Sequence, residues 1–185
     1  MNKMDDLNRR FDELRALSLQ KDARIYGTGL LSKWHEFADM QFDRAKEFFI
    51  ERLDDPRANW RAESVSLLGF HYKLDPDLLD RLRTLVVHDL DSGVRMKAAA
   101  VLGSQGQLPE KSLVQALKED QDDLVREAAF MALLELAGVP VTVRNVELER
   151  AKRKDVVFSL DEAKRVLRQQ GLLSPLSLLE ELEGQ

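Results

Sequence analysis

The sequence predicts an all-α protein built from a repeated helical unit, and three observations lead to this fold class. Aromatic residues make up only 6% of the 185 residues, and the segments rich in β-branched and turn residues that an all-β protein needs are few. Apolar residues recur at helical spacing through most of the chain. A set of motif positions also returns at intervals of 34 and 31 residues, which is typical of a helical repeat protein.

Stripes of apolar residues spaced three and four apart predict the helices in order. The clearest stripes occupy residues 7–17, 42–53, 78–86 and 113–117. The last two are expected to begin at Pro76 and Pro109, because proline suits the first turn of a helix. We expect about eight to ten helices and essentially no strand.

The repeated motif is centred on three arginines, Arg61, Arg95 and Arg126. Each follows an apolar residue, has a small residue three positions later and a leucine seven positions later. The eighth position is glycine in the first two copies and Leu134 in the third. An aspartate stands six positions before each arginine, at Asp55, Asp89 and Asp120.

This order of residues resembles the HEAT-repeat family, particularly the short repeats of phycobilisome lyases. The resemblance covers roughly residues 38–138 and implies a right-handed α-α solenoid of three HEAT-like helical hairpins. Residues 1–37 would then form N-terminal helices. A degenerate copy of the motif around Arg24 would lie among them, without the aspartate six positions before the arginine. Residues 139–185 would form C-terminal capping helices that shield the last hydrophobic face.

The aspartates and arginines of the motif are interpreted as structural. An aspartate in a turn can accept backbone N–H groups where a helix starts, and the arginine can reach the aspartate of a neighbouring repeat. Recurrence in every unit is what a scaffold requires, whereas a single active site does not need it.

The C-terminal segment carries its own helix signals. Ser159 and Glu162 form a capping box, and Gly171 is expected to end the helix that they start. A last helix is predicted from Ser174 and Pro175, with a leucine stripe at Leu176, Leu179 and Leu182. This stripe either docks on the body as a cap or binds a partner, with a homo-dimer as one form of that contact.

Charge and cysteine content limit the function. The net charge of −5 gives no bulk positive field for nonspecific nucleic-acid binding. The absence of cysteine removes disulfides, thiolate nucleophiles and Cys-ligated zinc. The charged N-terminal residues and the lack of long apolar runs predict a cytoplasmic protein without a signal peptide or a membrane span.

The catalytic options in the sequence are weak. His35, Glu36 and Asp39 could share one helical turn, but the chain has no HExxH motif and no second His-Glu pair. His88 stands directly before Asp89 of the repeated motif and is interpreted as a turn residue. The element from Gly27 to Gly29 lacks the remaining residues of a phosphate loop.

The basic residues near the C-terminus do not predict a nucleic-acid site. The cluster alternates with acidic residues, which favours a solvated helix face over a DNA-binding patch. Its members are Arg150, Lys152, Arg153 and Lys154, beside Glu147, Glu149 and Asp155. A HEAT-like DNA-binding enzyme is therefore the weakest of the functions considered, since neither Trp34 nor Trp60 lies among clustered cations.

We expect no enzyme activity and no cofactor, and the predicted function is that of an adaptor, inhibitor or immunity-type scaffold. The second helices of a solenoid line one ridge, so equal offsets from the three arginines mark a candidate partner surface. The residues predicted to contact a protein partner are Glu63, Phe70, Met96, Lys97, Glu127, Met131 and Glu135. Burial of these residues between repeats remains open, as does the alternative function of a phycobilin-lyase-like or chaperone subunit.

Overall fold

A computed structural model describes residues 3–154 and 156–183, without the side chains of Lys154 and Glu183. These residues form eleven helices and no strand, which confirms the all-α fold class and slightly exceeds the expected number of helices. The helices are α1 (Lys3–Ser18), α2 (Leu30–Asp39), α3 (Asp43–Arg52), α4 (Ala58–His71), α5 (Pro76–His88), α6 (Ser92–Gln105), α7 (Lys111–Glu119), α8 (Asp123–Leu136), α9 (Val141–Lys154), α10 (Leu160–Gln169) and α11 (Leu173–Glu183).

The chain divides into two compact units, Met1–Lys73 and Leu74–Gln185. The boundary falls between the first and the second copy of the repeated motif. The first unit thus contains α1 to α4, and the second contains α5 to α11.

An aromatic cluster forms the core of the first unit. The rings of Trp34 in α2 and Phe48 in α3 stack with centroids 4.4 Å apart, and Phe11 of α1 meets Trp34 edge to face at 5.8 Å. The indole N–H of Trp34 donates to the Oγ of buried Ser18 over 3.0 Å, so the ring leaves no unpaired donor in the core. Of the stripe predicted for α1, Phe11 and Leu14 are buried, whereas Leu17 is exposed.

The second unit is built on the pairs α5–α6 and α7–α8. Its second helices pack closely, because Gly103 of α6 lies directly against Ala132 of α8. A Cβ atom added at Gly103 would stand 2.7 Å from the Cα of Ala132, which is closer than carbon atoms approach. The Leu-Gly step of the motif therefore permits the contact between these two helices.

The repeated arginine makes the same hydrogen bond in all three copies. Its Nη1 donates to the backbone carbonyl of the aspartate six residues earlier. The distances are 2.8 Å for Arg61 and Asp55, 2.9 Å for Arg95 and Asp89, and 2.6 Å for Arg126 and Asp120. Each arginine thus ties its helix to the turn that precedes it.

Each repeated aspartate also stabilises its turn from within. Its Oδ1 accepts the N–H two residues later at 2.9 Å, from Arg57, Asp91 and Asp122 respectively. In the second unit those later residues are themselves the helix caps, since Asp91 accepts from the amide of Val94 and Asp122 from that of Leu124. The predicted role in the turn is confirmed, with the helix cap two residues further on.

The C-terminal helix signals are largely confirmed. Ser159 caps α10 by accepting the N–H of Glu162, and Gly171 takes a left-handed φ of 69° just after the helix ends. The last helix begins at Leu173, one residue before the predicted start. Another start was misplaced: α7 begins at Lys111, so Pro109 lies before its cap residue Glu110 instead of in the first turn.

The leucine stripe of α11 is largely covered by the chain itself. Leu176 and Leu179 are buried, and α11 packs against α10. A dimer through this helix would therefore need other side chains, and the homo-dimer remains a prediction that sedimentation would test.

Candidate protein-binding surface

In the first unit, the two predicted contact residues on α4 have different surroundings. Phe70 is 64% exposed, so its ring is open to solvent. Glu63 is 6% exposed, which agrees with the alternative of burial left open by the sequence, and its contact with a partner stays a prediction. Its carboxylate accepts a hydrogen bond within the first unit.

The burial of Glu63 follows from a loop that lies on α4. The hydroxyl of Tyr26 donates a hydrogen bond to the Oε1 of Glu63. Arg57, at the start of α4, donates to the carbonyls of Gln20 and Ala23 at 3.1 and 3.2 Å. Loop residues 19–29 are thus held along one side of α4 and cover the carboxylate.

Arg24, around which the sequence suggested a degenerate copy of the motif, lies in this irregular loop and not in a helix. Gly27 and Gly29 both have φ of 75°, a left-handed conformation that glycine adopts without strain. The element that was considered and discarded as a phosphate loop is therefore a turn leading into α2, with Gly29 as its cap residue.

In the second unit, α6 and α8 present matching faces. The positions on α6 are Met96, Lys97, Ala100 and Ser104, and the equivalent positions on α8 are Glu127, Ala128, Met131 and Glu135. Ala100 and Ser104 are exposed, while Met96, Lys97 and Met131 are half-buried. These eight residues are called the ridge from here on.

Helix α9 occupies part of the α8 side of the ridge. Lys152 of α9 lies 3.0 Å from the carboxylate of Glu127, and Arg144 of α9 pairs with Glu135. Both predicted acidic contacts are therefore already engaged within the chain. A surface ion pair does not prevent contact with a partner, so Glu127 and Glu135 stay predicted contacts together with Met96, Lys97 and Met131.

The basic residues of α9 take part in an ion-pair network with α10. Arg150 bonds Glu147 at 2.7 Å and also pairs with Glu162 of α10, while Arg165 joins the same two carboxylates. Burial raises the pKa of Glu147, but the hydrogen bonds and charges of Arg150 and Arg165 outweigh it and hold that pKa below its usual value. The side chain of Lys154 and the whole of Asp155 lie outside the described residues.

Comparison with known protein families agrees with the repeat geometry. The family model described as HEAT repeats matches residues 47–134, from within α3 to within α8. Residues 47–134 are HEAT repeats. The chain matches no curated protein and no solved structure at a significant level.

The HEAT repeats contain six of the seven predicted contact residues, and Glu135 follows one position after the matched range. Repeats of this family form helical scaffolds, which commonly mediate contacts between proteins. The finer resemblance to phycobilisome lyases remains a prediction.

His35, a candidate metal-binding residue in the sequence, lies against another histidine, His71. His71, in the HEAT repeats, places Nδ1 3.0 Å from the Oδ1 of Asp39, and the ring of His35 meets that of His71 edge to face at 5.4 Å. Across residues 3–154 and 156–183, no group of three or more His, Asp or Glu side chains could hold a metal ion. In the same residues, no helix is both long and apolar enough to cross a membrane.

Proposed function

We propose that this chain is a non-catalytic HEAT-repeat scaffold that binds a protein partner, as an adaptor, inhibitor or immunity-type protein. The observation that carries the proposal is the open face of α6 in the second unit. There Ala100 and Ser104 are exposed, and Met96 and Lys97 are only half-buried. The proposal also includes the cellular compartment, since we expect the scaffold to be cytoplasmic.

The chemistry of this face suits a protein surface. Methionine is flexible and polarisable, so Met96 and Met131 can adapt to an irregular apolar partner. Small residues at positions 100 and 104 leave room for a side chain of the partner to approach the helix. In the first unit, Phe70 offers a separate exposed aromatic side chain of the kind that often anchors protein contacts.

The test compares the intact chain with Met96→Asp in affinity purification from its native cells, followed by mass spectrometry. We expect a stoichiometric protein with the natural chain and a sharp loss with Met96→Asp, because a charge would face the apolar centre of the contact. Ser177→Asp is the matched control, since it adds the same charge at an exposed position of α11 in the same unit.

Thermal melts of both variants separate binding from folding. If Met96→Asp unfolds the chain, Lys97→Glu replaces it, because a charge reversal at a half-buried surface position leaves the apolar core intact. Equal recovery of the partner by all variants would overturn the ridge as the site. A coloured or small-molecule ligand in place of a protein would contradict the proposal and favour the phycobilin-lyase-like alternative.

A further inference from the structure

Two leucines of the second unit stand exposed on neighbouring turns. Leu90, between α5 and α6, is 97% exposed, and Leu124, in the first turn of α8, is 59% exposed. The position equivalent to Leu90 in the next repeat is Gln121, which shows that the turn itself does not require an apolar residue. Single exposed leucines are common on protein surfaces, but two on adjacent turns offer a ligand two apolar side chains to cover.

The two turns are joined side by side. Arg95 of α6 binds both carboxylate oxygens of Asp120, with Nε to Oδ2 at 2.7 Å and Nη2 to Oδ1 at 2.9 Å. The hydroxyl of Ser92 donates a hydrogen bond to Asp122. Leu90 and Leu124 are therefore presented on rigid backbone, so binding a ligand there would cost little conformational entropy.

Acidic side chains outnumber basic ones in and beside the two turns. Residues 88–95 and 118–126 contain six acidic side chains and three basic ones. Of the basic ones, Arg95 is bound to Asp120, and Arg126 is bound to the carbonyl of Asp120 and to Asp123, while the third, Lys118, is exposed on α7. The hydrogen bond from Ser92 and the backbone N–H of Leu124 hold the pKa of Asp122 below its usual value, so this carboxylate is charged at neutral pH.

We propose that this turn surface, formed by Leu90, Asp91, Gln121, Asp122, Asp123 and Leu124, binds a basic protein segment that carries apolar side chains. The apolar side chains of the segment would cover the two leucines, and its lysines or arginines would face the carboxylates. The inference goes beyond the ridge and does not depend on it.

The charge of the surface selects this class of ligand. Phosphate groups of a nucleic acid would be repelled by the carboxylates. A second copy of the chain, bound by the same surface, would set acidic side chains against acidic side chains. Metal ions are also not favoured, since the described residues hold no group of ligands that fits one.

The test is a titration of the ¹⁵N-labelled full chain with three synthetic peptides, followed by NMR. The first peptide interleaves lysines with leucines, the second replaces its lysines by glutamates, and the third replaces its leucines by serines. We expect only the first to bind, with shifts concentrated at residues 88–93 and 120–125. Binding of the serine peptide with equal affinity, or shifts concentrated elsewhere, would overturn the proposal.

Variants of the chain locate the contact. Leu90→Ser and Leu124→Ser are each expected to weaken binding of the first peptide by about tenfold, as truncation of a central contact does. Leu173→Ser is the matched control, because Leu173 is 67% exposed on α11, and its affinity should not change. Unchanged affinity of Leu90→Ser and Leu124→Ser would contradict the assignment.

A charge variant tests the acidic part of the surface. In Asp91→Asn the amide oxygen can still accept the N–H of Val94, so the helix cap is kept while the charge is removed. Slower association and a weaker dependence on salt are expected. This test is independent of the ridge proposal. A variant that no longer binds the peptide but still binds the natural partner would leave the ridge at Met96 as the site of that partner.

Discussion

Arg95 of α6 and Asp120, in the turn before α8, form a bidentate ion pair with N–O distances of 2.7 and 2.9 Å. The pair is largely sheltered, with 15% of the arginine side chain and 7% of the aspartate side chain exposed. It joins two consecutive repeats of the second unit, as the recurrence of arginine and aspartate in the sequence predicts. A planar guanidinium matches both carboxylate oxygens, so the pair also fixes the angle of approach.

Removal of either repeated carboxylate of the second unit should destabilise the fold. Asp89→Ala is expected to lower the free energy of unfolding by about 1 to 2 kcal/mol through the lost turn bond to the amide of Asp91. Asp120→Ala loses the same kind of bond and leaves Arg95 without its carboxylate, so a loss of about 2 to 4 kcal/mol is expected. Urea unfolding followed by circular dichroism measures both, and an unchanged free energy of unfolding for Asp120→Ala would contradict the importance of the pair.

The same pair should make stability depend on pH in acid. Burial raises the pKa of Asp120, but the hydrogen bonds of Arg95 and of the Asp122 amide outweigh it, and the folded pKa lies below the usual value. The unfolded chain therefore takes up this proton first, and the stabilisation present above about pH 4 is lost as the pH falls through the folded pKa.

Asp120→Asn reveals this contribution. The difference in free energy of unfolding between the natural chain and the variant should be largest near neutral pH and should shrink below about pH 4. Urea titrations at a series of pH values measure it. A difference that stays constant into strong acid would show that the charge of Asp120 does not stabilise the fold.

Gly103→Ala should destabilise the second unit, although alanine normally favours a helix over glycine by about 1 kcal/mol. The added Cβ would meet the backbone of Ala132, and the shift that relieves this contact is expected to cost about 1 to 3 kcal/mol. Ser104→Ala, at the exposed neighbouring position, is the control and should change stability by less than about 0.5 kcal/mol. A gain in stability for Gly103→Ala would mean that α6 and α8 can move apart.

Tyr26→Phe tests the burial of Glu63. Loss of the phenol donor removes a hydrogen bond from a buried carboxylate, so the free energy of unfolding should fall by about 1 to 3 kcal/mol. Amide hydrogen exchange in residues 19–29 should also become faster, because the loop loses one of its attachments to α4. Glu63→Gln keeps an acceptor oxygen, so its free energy of unfolding should fall by less than that of Tyr26→Phe. If Glu63→Gln instead abolishes partner binding at unchanged stability, Glu63 is confirmed as a contact residue.

The sequence by itself determined the features that depend on neighbouring residues. Helical spacing of apolar side chains defines the helices, the recurrence of aspartate and arginine defines the turns, and Ser159 and Gly171 mark the ends of α10. These patterns are readable because each bond joins residues a few positions apart, as with Arg95 and the carbonyl of Asp89. The fold class and the HEAT repeats were predictable for this reason.

The tertiary structure decided which of the candidate contact residues remain accessible. Glu63 is covered because Tyr26, 37 positions earlier, reaches it from an irregular loop. Glu127 is engaged because Lys152, 25 positions later, lies on a helix that packs against α8. Helical periodicity identifies the face on which a side chain lies, but the segment that covers this face depends on how distant parts of the chain pack together.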